Sequence, residues 1–303
     1  RGMIELIKED SEYKEPAEKI DVSKYIAGAK GINEDLQDFL SGKTPQGFAL
    51  GLDCIDDFFI FKRHEFYILT GKKGMGKTTV NQALQIMASI VHNLVWVVAF
   101  QENSNWSMKY NYMNYLLGEP TADVRKRDPA LYEKASSFID QHFIFIEVET
   151  IKTATEVTQA IIDEGTDVHA LLLDPINSFR NGWQDTGNGY ADGVVAGINL
   201  LNFSKDVCSV HISQHPNMAG QRQEQAVTSY QAEGGWFLNK ASFTYVLHRE
   251  KGSNQNELIV ENVRNRHTGG GETDSDAPIV LYWAPHKIDV GLKGGQVYED
   301  FIG

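Results

Sequence analysis

Phe66-Tyr67-Ile68-Leu69-Thr70-Gly71-Lys72-Lys73-Gly74-Met75-Gly76-Lys77-Thr78-Thr79 decides how the rest of the chain is read. Its first five residues form a short apolar run ending on a glycine-rich turn, which predicts a strand buried on both faces. The periodicity after Lys77 predicts a helix over 78–91. Between the two, Gly71, Gly76, Lys77 and Thr78 meet the pattern GxxxxGK[ST] in the strand–turn–helix context it requires. Glycines let the backbone fold tightly, so that its N–H groups point inward at phosphate oxygens. The helix start adds the positive end of its dipole. Lys77 places a charge on the β- and γ-phosphates, and the Thr78 hydroxyl is the hard oxygen donor that Mg²⁺ prefers. Gly71, Gly74, Met75, Gly76, Lys77, Thr78 and Thr79 are therefore the candidate residues for a nucleoside triphosphate, with Lys72 and Lys73 facing solvent.

Outward from this loop the pattern alternates. Apolar runs predict strands over 94–100, 143–148, 170–173, 207–213, 243–248 and 257–263. Helical spacing predicts helices over 106–117, 130–141, 154–164 and 194–203. Such alternation implies an α/β fold, with a mostly parallel sheet covered by helices on both faces. The last two predicted strands follow each other without a helix, which implies an antiparallel hairpin at the sheet edge.

Upstream, residues 3–19 are strongly charged and read as a mobile or partner-dependent leader. Ile32, Leu36, Phe39 and Leu40 fall at helical spacing, so 32–40 predicts a short amphipathic helix. It packs either on its own domain or on a neighbouring subunit. A polar connector over 42–51 divides residues 1–46 from a main domain over 47–303.

The net charge of −13 argues against a protein coated in nucleic acid, although a strand gripped by a few groups in a narrow channel is compatible with it. Cys54 and Cys208, the only cysteines, lie far apart and read as buried free thiols in a reducing compartment. No run is long and apolar enough to cross a membrane, so the expectation is a cytoplasmic protein with no membrane partner. The opening Arg1-Gly2-Met3 reads as a boundary inside a longer protein.

Three further strand ends carry candidate chemistry. Leu171-Leu172-Leu173-Asp174 is an apolar strand ending in an acid, the pattern that holds Mg²⁺ beside a phosphate loop, here through water. The strand over 94–100 is followed by Gln101 and Glu102. The carboxyl ends of parallel strands line the ligand crevice, so Glu102 reads either as the base that activates water or as a surface glutamate. The strand over 207–213 ends in Gln214 and His215, and either side chain could reach a γ-phosphate.

Taken in order, Gly51-Leu52-Asp53-Cys54-Ile55-Asp56, GKKGMGKTT (71–79), VVAFQE (97–102), LLLDPIN (171–177), HISQHPN (211–217) and VRNRHTGG (263–270) resemble the motor domain of DnaB-type hexameric replicative helicases. The likeness is nearest to the phage replicative helicases and the Twinkle-like mitochondrial enzyme, and it spans about 47–290. It implies a RecA-like P-loop NTPase core that uses ATP or another nucleoside triphosphate with Mg²⁺, and that unwinds duplex DNA while moving on a single strand. The resemblance makes Glu102 the catalytic glutamate. It assigns the γ-phosphate sensor to Gln214 by one alignment and to His215 by another. Arg264 and Arg266 match a Lys-x-Arg pattern that reaches the neighbouring subunit's nucleotide, with Arg266 as the finger and arginine standing where the family has lysine.

The resemblance further implies a homo-oligomeric ring, hexameric in the family, around single-stranded DNA, with a primase as a possible partner and host cytoplasm as the location if the gene is a phage's. The channel loops would be 180–193 and 216–230, whose cations are Arg180 and Arg222. Trp183 and Tyr190 would either stack on bases or anchor their loop. The helix over 32–40 would pack on the adjacent subunit. Two other readings share the nucleotide site: a RecA-type DNA-stimulated recombinase, and a nucleotide-gated DNA-binding or loader module that does not unwind.

Overall fold

The computed structural model describes residues 37, 41, 47–50, 56, 59, 61–216, 240–249, 257–265, 279–284 and 287–289. The chain divides into two compact units, 1–45 and 46–303. In the first, Gln37 is helical and its carbonyl accepts a hydrogen bond from the Ser41 amide at 2.9 Å. The rest of the helix expected over 32–40 lies outside the described residues.

The second unit is built on one nine-stranded sheet. In chain order its elements are β1 (Phe66–Thr70), α1 (Lys77–His92), β2 (Val95–Phe100), α2 (Asn105–Leu117), α3 (Thr121–Arg127), α4 (Pro129–His142), β3 (Phe143–Ile146), α5 (Ile151–Asp163), β4 (Val168–Asp174), α6 (Gly189–Asp206), β5 (Ser209–Gln214), β6 (Phe243–His248), β7 (Glu257–Asn265), β8 (Ile279–Ala284) and β9 (Lys287–Asp289). The strand order is β3-β2-β4-β5-β1-β6-β7-β8-β9. β1 to β6 run parallel, and β7, β8 and β9 continue from β6 as an antiparallel meander. The sheet is thus mostly parallel, as its alternating pattern implies, and the expected edge hairpin is the first part of that meander.

Both faces of the parallel strands are buried, which is why they read as unbroken apolar runs. The two-residue period sends Tyr67, Leu69, Trp96, Val98 and Leu172 into one core with Val80, Ile86, Met108, Tyr112 and Ile139 of α1, α2 and α4. It sends Phe66, Ile68, Val97, Leu171 and Ile212 into a second core with Ile151 and Ala154 of α5 and Leu200 of α6. His169 and His211 sit on adjacent strands inside the first layer, edge-on to Trp96. Burial holds the His169 imidazole down at about 3, so it is neutral there.

Differences from the sequence pattern are local. α3 carries only Thr121 and Val124 as buried residues, too few to leave a periodic signal. α6 starts at Gly189 and not near 194. Asn188 Oδ1 accepts from the Ala191 amide at 3.3 Å and so supports a glycine-containing first turn that propensity disfavours. The expected channel loop 180–193 therefore shortens to 180–188. Cys208 is buried, with its thiol pushed up to about 12, and Cys54 lies outside the described residues. Among the described residues no helix is long and apolar enough to cross a membrane.

Candidate functional site

The carboxyl end of β1 runs into Gly71 beside β6. A Cβ added to Gly71 would lie 2.4 Å from the Leu247 carbonyl oxygen, so only glycine lets the loop leave the sheet here. Gly76 takes a left-handed φ of 94° and caps α1 with backbone alone. No acidic residue occupies the first turn of α1, so nothing opposes its positive end. Met75 packs half-buried on the core, and the Thr79 hydroxyl bonds the Tyr115 hydroxyl at 3.3 Å. Lys73 is exposed and Lys72 half-buried.

Lys77 is buried, and its Nζ donates to the Gly71 carbonyl at 2.8 Å and the Lys72 carbonyl at 3.0 Å. It also meets His215 Nδ1 at 3.0 Å. Burial lowers its pKa to about 8, against the opposing pull of Asp174 and Glu102. An ammonium folded onto its own loop carbonyls can exchange those acceptors for phosphate oxygens without moving far.

β4 ends at Asp174, which is buried. The Ser213 hydroxyl of β5 donates to its Oδ1, while Oδ2 has no hydrogen-bond partner. Burial raises the Asp174 pKa, and the hydroxyls of Ser213 and Thr78 and the charge of Lys77 favour the carboxylate. A bare buried carboxylate oxygen beside a threonine hydroxyl is an all-oxygen donor set, which fits Mg²⁺. Among the described residues no group of three or more His, Cys, Asp or Glu could hold a metal by itself. A cation in this place would share its coordination with phosphate and water.

β2 delivers Glu102 to the same edge. Its half-exposed carboxylate stands 3.7 Å from His215 Nε2. The His215 backbone N–H donates to Asn177 Oδ1 at 2.7 Å, which ties the end of β5 to the turn after β4. Burial and the nearby Lys77 charge lower the His215 pKa, with Glu102 opposing them. Gln214 is fully buried, and neither its Oε1 nor its Nε2 has a partner. Lys77, Glu102, Asp174, Gln214 and His215 thus meet at the carboxyl ends of four neighbouring strands, β2-β4-β5-β1, where open parallel sheets bind ligands. Chemically, the site can hold an oligophosphate and a divalent cation and set a carboxylate beside them. Ser213 and Asn177 belong to it and had no sequence signal beyond their place next to the candidate residues.

Other candidates lie elsewhere. Arg264 stands in β7 opposite Thr244 of β6 by backbone register, and its side chain, like Arg266 and Arg222, lies outside the described residues. Arg180 is ion-paired with Glu149, and both side chains are exposed. Its loop is stitched to α5 by Ile151 N–H to the Arg180 carbonyl at 2.8 Å and Lys152 N–H to the Asn181 carbonyl at 3.1 Å. Trp183 packs half-buried on the second core, which is the anchoring arrangement. The Tyr190 side chain lies outside the described residues.

No protein-family model matches the chain, and no curated protein matches its sequence. Solved structures do match. The isolated ATPase domain of a helicase superposes with a TM-score of 0.66 at 12% identity, covering 89% of this chain and 98% of that one. A DnaB-like replicative helicase, solved to describe its interactions with primase, superposes with a TM-score of 0.68 at 13% identity, covering 87% of this chain and 67% of its own. The chain therefore has the RecA-like fold of the ATPase domains of DnaB-like replicative helicases.

Proposed function

We propose that this chain is an ATP- or NTP-hydrolysing motor subunit that, as a ring, translocates on single-stranded DNA and unwinds duplex DNA in replication. The observation that carries the reading is the meeting of buried Lys77, the unpartnered Oδ2 of Asp174 and the carboxylate of Glu102 at adjacent strand ends. In this reading Lys77 Nζ trades the Gly71 and Lys72 carbonyls for β- and γ-phosphate oxygens. Thr78 and Asp174 hold Mg²⁺, Asp174 through water. When bound, the ion neutralises charge that develops on the phosphate oxygens. Glu102 orients the attacking water and accepts its proton. His215 stands between Lys77 and Glu102 and is the better placed of the two sensor candidates to relate phosphate contact to the base. Gln214 supplies an unpartnered amide behind it.

Arg264 and Arg266 of a neighbouring subunit would complete the site, so isolated subunits would turn over slowly. A primase partner and a cytoplasmic location follow from the same reading. Support for the fold comes from the two helicase structures, and support for the motor from the site.

A second reading, a nucleotide-gated DNA-binding module without unwinding, draws on the ion pair that occupies Arg180 and on the charge of −13. ATP turnover measured across protein concentration, with and without single-stranded DNA, together with strand displacement on a forked duplex, separates the two. The motor predicts cooperative, DNA-stimulated turnover with displacement, and the module predicts turnover without displacement. Absence of turnover at every concentration, with DNA present, overturns both.

A further inference from the structure

The mechanism above needs Asp174 to present one particular oxygen to the cation, and a carboxylate on a strand end is free to rotate about its Cα–Cβ and Cβ–Cγ bonds. Oδ1 and Oδ2 are chemically equal until something distinguishes them. In this chain the distinction comes from β5. Asp174 and Ser213 are the next pair along the β4–β5 register after Leu173 and Ile212, and the Ser213 hydroxyl donates to Oδ1. Ser213 is itself completely buried, so no water competes for this bond. Oδ2 is left buried and without a partner.

We infer that Ser213 is a positioning residue for the metal ligand: its hydroxyl fixes the Asp174 carboxylate so that Oδ2 faces the cation held with Thr78. This rests on the reading of Asp174 as the ligand. The physical basis is that of outer-shell hydrogen bonds to metal-binding side chains, which fix ligand orientation and whose loss costs metal affinity. Ser213 also favours the charged form of a carboxyl that burial otherwise pushes towards protonation. The His215 amide bond to Asn177 closes the same β4–β5 junction just beyond, so Ser213 acts against a strand end that is already held.

The test reads metal binding and not turnover. Mn²⁺ affinity is measured by electron paramagnetic resonance on the full chain loaded with a non-hydrolysable ATP analogue, and metal-free analogue affinity is measured separately. Ser213→Ala is expected to weaken Mn²⁺ binding about tenfold, while metal-free analogue affinity stays within about twofold. Ser213→Cys, nearly isosteric but a weak donor, is expected to lose affinity in the same direction, and it carries the measurement if the alanine variant does not fold. Asp174→Asn run alongside separates the layers. If Asp174→Asn loses Mn²⁺ while Ser213→Ala and Ser213→Cys bind it like the parent, the positioning role is overturned and the ligand reading stands. If Asp174→Asn also binds Mn²⁺ like the parent, the ligand reading itself fails. Equal losses in metal-free and metal-bound affinity for the Ser213 variants would mark a general structural role and would likewise overturn the proposal.

Discussion

At the scale of single residues, Lys77 makes the site's electrostatics measurable. Burial brings its pKa down to about 8 in the chain without nucleotide. Phosphate oxygens beside the ammonium would raise it again, so nucleotide binding favours the protonated lysine. The sign follows directly: affinity is level below about pH 8 and falls above it, by at most about tenfold per unit, until the bound-state pKa is passed. The stability of the nucleotide-free chain runs the other way. The unfolded chain keeps a proton there that the folded chain gives up, so Lys77 contributes stability as pH rises from about 8 towards its unfolded value. Calorimetric titration with ADP in buffers of different ionisation enthalpy checks this, through proton uptake near pH 8 and its absence in Lys77→Met. A flat affinity from about pH 7 to about pH 10 would show that Lys77 does not meet the phosphates.

At the scale of elements, the junction of β1 with β6 sets how much the loop tolerates. The Leu247 carbonyl stands where a Gly71 side chain would begin, and it is backbone in the middle of a paired strand, so it cannot turn away. Gly71→Ala should destabilise the chain by about 1–3 kcal/mol in urea unfolding and weaken nucleotide binding by distorting the cradle. A parent-like midpoint would mean that β6 can shift away from β1. The same junction shows what the sequence could reveal and what it could not. β1 to β5 and the helices between them were legible because each is long enough, or apolar enough, to show its period. The phosphate loop was legible because its chemistry demands fixed residue types at fixed spacing. α3, with two buried residues in seven, left no period to read. β8 and β9 are short strands of a meander whose pairing is set by tertiary neighbours. Ser213 and Asn177 escaped for a different reason. A serine and an asparagine mean nothing until folding places them against Asp174 and His215.

At the scale of the whole molecule, the proposed ring needs a surface by which one subunit takes hold of the next. The face of α2, α3 and α4 has the composition for it. A groove of about 660 Å³ there is lined by Trp106, Lys109, Tyr110, Arg125, Lys126 and Tyr132. Trp106 is 76% exposed, and the Arg125 guanidinium lies 5.4 Å from the centre of the Tyr132 ring. Exposed aromatics bordered by cations are an unusual outlay of surface in a chain of net charge −13. The sequence over 32–40 offers the complement in another copy: Ile32, Leu36, Phe39 and Leu40 at helical spacing, with Glu34, Asp35 and Asp38 among them. Under the ring reading, Trp106→Asp and the pair Leu36→Asp with Phe39→Asp should each reduce the mass measured by light scattering with nucleotide present, and salt should weaken the parent's assembly because part of the contact is ionic. The assembly link to catalysis is then direct. Chains that no longer associate should still bind nucleotide, since every described cradle residue comes from one subunit, but should lose the rise in turnover per subunit with concentration that a shared Arg266 requires. Parent-like mass in both variants would remove this groove from the interface. Loss of assembly with unchanged turnover per subunit would remove the neighbour's arginines from the chemistry.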